Sequence, residues 1–503
     1  MEKQPSGLSG IWNKSDYIFG LMLLTERPNE MNSQSLDHAL VGIFRGDPDY
    51  KQADKAIRRA LAAAGLNENR PLEGLIRPGD SVVLKPNLIR EGHATRPHEW
   101  EQVITHGSVI RVMAELAAEA LRGHGRIVIA DGPQTDSDFD TICARTKLQE
   151  IKDRVERLGV GCDVIDLRRD RWFQKGDVIC KRVSLPGDPA GYTTVDLGDA
   201  SEFSSYTLSG RFYGADYDME ETMRYHDGVH NTYVLCRTVL DADVLINLPK
   251  LKTHKKTGVT ISLKNMVGIN GYRNCLPHFT LGTTDEGGDE FPLRDLRSKL
   301  QSRAIVQFKK ALVASGCQGG SVSRLVKRMG RAVFGDTNEV TRSGNWHGND
   351  TAWRMVVDLN KVLFYFNGRG ERRDKPLRYL TVVDGIIAGD GNGPMAPDAV
   401  PAGLIIAGFN PVAVDSACAL LMGFDDRKIP LLSGGWHAAK CALANFPRES
   451  VRCASNVEEW NGTLQELSEA RHLAMKPHFG WCGQIERDLD SVPAEIQAEG
   501  RSA

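Results

Sequence analysis

Between about residue 80 and residue 423, short blocks of Val, Ile and Leu alternate with segments in which apolar residues recur every three or four positions. The blocks SVVLKP (81–86), RIVIADG (126–132), CDVIDL (162–167), NTYVLCRTVL (231–240), VLINLP (244–249) and VTISLKNMVG (259–268) predict strands buried on both faces. SVIRVMAELAAEALRG (108–123) and the stretch from Phe139 to Leu158 predict helices, the first with Ser108 as N-cap and Gly123 at its C-terminal end. Strand, helix and strand within about 50 residues form a βαβ unit, so the expected fold is α/β, a mostly parallel sheet flanked by helices.

Two polar stretches interrupt this alternation. Residues 168–227 are rich in Gly, Tyr and Asp, and residues 271–350 form a second insertion. The last patterned unit, Leu377–Gly423, predicts strand, Gly-rich loop, strand, and a helix opened by Asn410 with Pro411 in its first turn. The expected organisation is an N-terminal extension (1–70), an α/β domain (71–430) with two large insertions, and a C-terminal extension (431–503).

Charge changes the picture only locally. The chain of 503 residues carries 63 Lys plus Arg against 65 Asp plus Glu, a formal charge of −2, which argues neither for nucleic acid nor for an acidic partner, and no nucleic-acid partner is expected. Ten cysteines are scattered without a CxxC pair, so no iron–sulfur cluster is expected, and they read as reduced thiols of a cytoplasmic protein. No window has the roughly 18 apolar residues of a spanning helix. Within Arg294–Arg331, ten basic residues face a single acidic one, and Leu296, Leu300, Ala304, Ile305, Phe308 and Leu312 give part of it an amphipathic pattern. A solvated helix and an interfacial helix meeting anionic lipid through 294–331 are both open.

The densest local charge lies in LPKLKTHKKTGVTISLKNMVG, Leu248–Gly268. Loops at the carboxyl ends of strands line the ligand crevice of open α/β sheets. Ammonium groups gathered there repel unless an anion or facing carboxylates offset them. Lys264 stands inside an apolar block, where a lysine must find a partner or lower its pKa. Lys85 and Asn87 end an earlier strand in a similar way. Together these residues predict a pocket for an anionic small molecule, with His254 and Lys264 catalytic and Lys85, Asn87, Lys250, Lys252 and Asn265 substrate-binding. Asp384 and Asp390, with His278, are candidate ligands of a divalent cation such as Mg²⁺. GxxxxGK[ST], a strand-to-helix GxGxxG, GxSxG and HExxH are absent, which removes the commonest nucleotide, hydrolase and zinc-protease readings.

KPNL with ADGP, DADVLINLPKLKTHKKTGVTISLKNMVGING, and VVDGIIAGDGNGP with AGFNPVAVDSACALLMGF resemble the domain of unknown function 362 family over roughly residues 80 to 425. LPGDPAGYTTVDLG, CLPHFTLGTTDEGGDEFP and NWHGNDTAWRMVVDLNKVL resemble its longer members, which are associated with polysaccharide biosynthesis. The resemblance implies a fold, candidate positions and a sugar context; joined to the charged pocket, it leads to the expectation of an uncharacterised enzyme acting on a phosphorylated or carboxylated sugar derivative. It leaves open a non-catalytic protein that binds an anionic glycan precursor at the membrane surface. A remoter likeness to nickel-pincer lactate racemases would put His254 and Lys264 beside such a cofactor.

Overall fold

The structure, a computed structural model, describes residues 36–175, 178–206, 211–215, 218–314 and 341–487. Its main sheet has eleven strands. In chain order they are β1 (Leu40–Arg45), β2 (Ser81–Pro86), β3 (Arg126–Asp131), β4 (Gly161–Asp166), β5 (Val244–Leu248), β6 (Lys250–His254), β7 (Gly258–Thr260), β8 (Arg378–Asn392), β9 (Ala396–Gly408), β10 (Arg452–Ser455) and β11 (Gly462–Thr463). The principal order is β11-β10-β1-β9-β8-β5-β2-β3-β4, with β6 pairing both β8 and β7. The run β8-β5-β2-β3-β4 is parallel, whereas the hairpin β8–β9 is antiparallel. The fold is thus α/β, with a mixed and mostly parallel sheet.

The main helices are α1 (Ala53–Ala63), α2 (Gly107–Leu121), α3 (Phe139–Thr146), α4 (Leu148–Arg157), α5 (Leu296–Ala314), α6 (Ala352–Tyr365) and α7 (Pro411–Met422). Alternate strand residues feed two cores, because successive side chains point to opposite faces. Val82, Leu84, Ile127 and Ile246 pack with the apolar faces of α1, α2 and α4. Val83, Val128, Leu245 and Val383 pack with α6 and α7.

Several elements differ from the sequence reading. The N-cap of α2 is His106, whose Nδ1 accepts from the Ser108 N–H at 3.0 Å. The expected helix Phe139–Leu158 is two helices, divided at Lys147, whose φ of 57° is left-handed. Residues 168–227 are not loops alone: they contain the antiparallel pair Asp170–Lys175 and Val178–Ser184, and Tyr192–Asp196 pairs with Thr232–Cys236. The block 259–268 is not a strand throughout. It leaves the sheet after Thr260 and forms a helical turn, Ser262–Asn265, followed by a 3₁₀ turn, Met266–Ile269. Both flanking regions join the main sheet, through β1 before residue 71 and through β10 and β11 after residue 430. Of the basic stretch 294–331, Arg324, Lys327, Arg328 and Arg331 lie outside the described residues. No helix among the described residues is long and apolar enough to cross a membrane.

Candidate functional site

Strands β2, β3 and β5 run parallel, so their carboxyl ends reach one edge of the sheet together. Lys85 ends β2, Asp131 ends β3, and Asn247 near the end of β5 stands in register with Lys85. The Lys85 ammonium is fully buried, 2.7 Å from Asp131 Oδ1, and also donates to Asn265 Oδ1 at 3.2 Å and the Pro86 carbonyl at 2.9 Å. The other Asp131 oxygen accepts from the Leu88 N–H at 2.6 Å. Burial lowers the Lys85 pKa, and Asp131 opposes that shift. Gly268 covers this pair: a Cβ there would lie 2.0 Å from Asp131 Oδ1 and 2.7 Å from Lys85 Nζ, so only glycine lets the backbone approach.

A relay of amides orients the next layer. Asn265 Oδ1 also accepts from Asn87 Nδ2 at 3.0 Å, while its own amide donates to Asn247 Oδ1 at 2.7 Å and to the Lys85 carbonyl at 3.1 Å. Asn247 in turn donates to Tyr379 Oη at 2.8 Å and to the Ser262 carbonyl at 3.0 Å. Lys252 on β6 donates to Asn87 Oδ1 at 3.3 Å and to the Val103 and Pro394 carbonyls. Its pKa falls well below the ordinary lysine value, first through burial and then through Lys250 and Lys264.

These residues border a cavity of about 50 Å³. By the same measure one water needs roughly 10–15 Å³, so the space suits a single phosphate or carboxylate group. Asn87, Asp131, Lys252, His254, Lys264 and Arg273 are among its lining residues. Arg273 donates to the Val267 carbonyl at 2.6 Å and to the Gly132 and Pro133 carbonyls, and so brings fixed positive charge without a carboxylate partner.

Three polar groups on the cavity wall are left over. Among the described residues the Lys264 ammonium makes no hydrogen bond or ion pair, and its pKa is pushed down to about 7 by desolvation, then by Arg273 and Lys85. The buried Thr260 hydroxyl, also on the wall, has no partner. His254 Nδ1 accepts from the Lys256 N–H at 3.1 Å and the Thr257 N–H at 3.3 Å, which fixes the ring with its proton on Nε2. Burial, followed by Lys264 and its neighbouring lysines, holds His254 neutral by lowering its pKa well below the ordinary value. An amine, an imidazole N–H and a hydroxyl therefore remain available to a bound group.

Lys264 owes its place to the helical turn, not to a strand. Asp415 on α7 accepts the Ser262 and Leu263 N–H groups at 2.8 and 2.9 Å, capping that turn. The Asp415 carboxyl is pushed up to about 7 by burial.

Of the residues the sequence proposed, His254, Lys264, Asn87, Lys252 and Asn265 meet at the cavity, and Lys85 stands behind it with Asp131. Lys250 belongs elsewhere. It is paired with Asp384 at 2.9 Å and donates to Tyr50 Oη at 2.7 Å, while Asp384 also accepts from Tyr50 Oη and from the His106 N–H at 2.9 Å. The Tyr50 ring stacks on His106 with centroids 3.6 Å apart. Asp390 accepts from the Lys476 N–H at 2.9 Å, and His278 Nδ1 is 2.8 Å from the Leu276 carbonyl. Asp384, Asp390 and His278 thus each have separate hydrogen-bond partners. No cluster of three or more His, Cys, Asp or Glu side chains able to hold a metal occurs among the described residues. The sequence reading missed Tyr50, Thr260, Gly268 and Arg273, of which only Gly268, the single glycine closing NMVG, carried any local signal.

A crystal structure of a Thermotoga maritima protein from a structural genomics consortium is similar at 12% identity and a TM-score of 0.33, over 75% of this chain and 60% of that one. The thylakoid-associated protein sll1697 of Synechocystis sp. is 27% identical over 210 residues, which is 41% of this chain and 43% of that protein. The chain therefore matches less than half the length of this relative. Residues 200–420, which hold His254, Lys264 and Asn265 but not Lys85, Asn87 or Asp131, match the family model described as Domain of unknown function (DUF362).

Proposed function

We propose that the cavity receives the phosphate or carboxylate of a small molecule, and that Lys264 and His254 exchange protons with that molecule during a reaction. The carrying observation is the surplus of positive and donor groups around Lys264, which has no partner among the described residues. Lys252 and Arg273 are held by neutral carbonyls, and the sole neighbouring carboxylate among the lining residues, Asp131, is already paired with Lys85. An anion entering this wall meets fixed cations in a low-dielectric setting, which favours its charge and that of transition states derived from it.

An amine that titrates near neutrality can give or take a proton at physiological pH, as an acid–base catalyst must. His254 Nε2–H and the Thr260 hydroxyl would orient the entering group. The resemblance read from the sequence favours a phosphorylated or carboxylated sugar derivative, in a polysaccharide-biosynthesis setting. The cavity takes only the anionic head, leaving the remainder of the molecule outside it.

Isothermal titration of the full chain with sugar phosphates, sugar acids and inorganic phosphate tests this reading. Binding that is lost in Lys264→Met and kept in the surface variant Lys375→Met is expected. Equal binding by the wild type and Lys264→Met would remove Lys264 from the site.

A further inference from the structure

The first turns of helix α5 expose apolar residues of its sequence pattern, whereas Ile305 and Phe308 further along are partly buried. Of the apolar positions of its amphipathic pattern, Leu296 is 71% and Leu300 55% exposed, with Leu293 just before the helix at 60%. The buried positions are instead Ser298, Gln301 and Ser302. Two contacts fix this rotation: Ser302 Oγ donates to Glu290 Oε2 at 2.6 Å, and Asp295 caps the helix by accepting the Ser298 N–H at 2.7 Å. Exposing three leucines while burying three polar side chains costs stability that packing among the described residues does not return.

The exposed face is also basic. Between Leu293 and Lys310 the sequence has six basic residues and one acidic residue; Lys299 pairs with Asp285 and Arg303 lies 3.6 Å from Glu286, while Arg297, Arg303 and Lys310 are exposed beside the leucines. We infer that α5 is a membrane-surface docking element that inserts Leu293, Leu296 and Leu300 among the lipids of an anionic bilayer. Apolar side chains ringed by Lys and Arg on an exposed helix match the pattern of interfacial helices, where buried apolar area and attraction to anionic headgroups add. A second copy of the chain is a poorer occupant, since pairing like faces about a two-fold axis would set Arg297 and Arg303 against their counterparts.

Flotation of the full chain with vesicles tests the assignment. Binding is expected to phosphatidylcholine vesicles containing about one third phosphatidylserine, with at least a tenfold loss on phosphatidylcholine alone or in high salt. Leu296→Glu combined with Leu300→Glu should abolish flotation and leave the melting temperature unchanged, because both side chains are already exposed. Arg297→Gln with Arg303→Gln should weaken it severalfold. The inference is overturned if the wild type does not float with anionic vesicles, or if the double glutamate variant floats equally well. It is also overturned if sedimentation shows a dimer that the glutamates dissolve while vesicle binding is absent, which would give the face to a second copy.

Discussion

Asp415 and Lys264 are joined through two backbone hydrogen bonds: the buried carboxylate holds the Ser262 and Leu263 N–H groups of the turn on which Lys264 stands. Asp415 is therefore a positioning residue for the cavity. Asp415→Asn keeps one acceptor and turns an amide donor toward the other N–H, so a loss of about 1–3 kcal/mol of stability is expected. The folded-state pKa of about 7 lies above the 3.8 of an unfolded aspartate, so wild-type stability should fall as pH rises between those values. The variant should lack that slope, and urea denaturation at several pH values measures both effects.

Lys264 has the opposite linkage. Its folded pKa of about 7 lies below the unfolded value of 10.5, so the unfolded chain binds the extra proton and wild-type stability rises with pH across that window. Lys264→Met removes a desolvated amine and its repulsion with Arg273 and Lys85. The variant is expected to be more stable than the wild type by on the order of 1–3 kcal/mol at neutral pH, the difference shrinking toward about pH 10. Chemical denaturation of both proteins at about pH 7 and about pH 10 checks this.

Anion binding should carry the same proton. A carboxylate ligand, whose own charge is constant above about pH 5, favours the ammonium form of Lys264. Its affinity is expected to be greatest below pH 7, where Lys264 is protonated in the free protein, and to fall toward tenfold per pH unit above it. Calorimetry in buffers of differing ionisation enthalpy should show proton uptake on binding near pH 7.5 that disappears in Lys264→Met.

Much of the framework was legible because strands buried on both faces leave continuous apolar blocks. Val82, Val83 and Leu84 serve two cores at once and left no polar position to obscure the strand. The turn at Ser262 was misread because Val259, Thr260 and Ile261 continue a strand-like run, and the residue that ends it, Asp415, is 153 positions away. Lys250 looked like its neighbours, yet its partners Tyr50 and Asp384 are 200 and 134 residues distant and take it out of the cavity. Helix α5 kept its expected location, and Glu290 and Asp295, through Ser302 and Ser298, set which side faces inward. Residue type thus marked the chemistry, while long-range partners decided which lysine remained available to it.

Asp131 tests whether stability and binding are opposed at this site. Its carboxylate lies 2.7 Å from a fully buried Lys85 ammonium, and one of its oxygens holds the Leu88 N–H. Asp131→Asn retains an acceptor for Leu88 but leaves Lys85 without a counter-charge, and removing one member of a buried pair costs roughly 3–5 kcal/mol. Burial already lowers the Lys85 pKa against the pull of Asp131, so the amine should deprotonate more readily in the variant and the loss should be larger at low pH than at high pH. Adding Lys85→Met should recover part of the stability, giving a non-additive cycle. At a pH where Lys85 keeps its proton, the cavity of Asp131→Asn has lost its negative charge and should bind a carboxylate or phosphate severalfold more tightly, even though the protein is less stable. Denaturation and calorimetry on the single and double variants measure the two quantities. Weaker anion binding by a folded Asp131→Asn protein would make Asp131 a direct ligand contact instead of the counter-ion of Lys85.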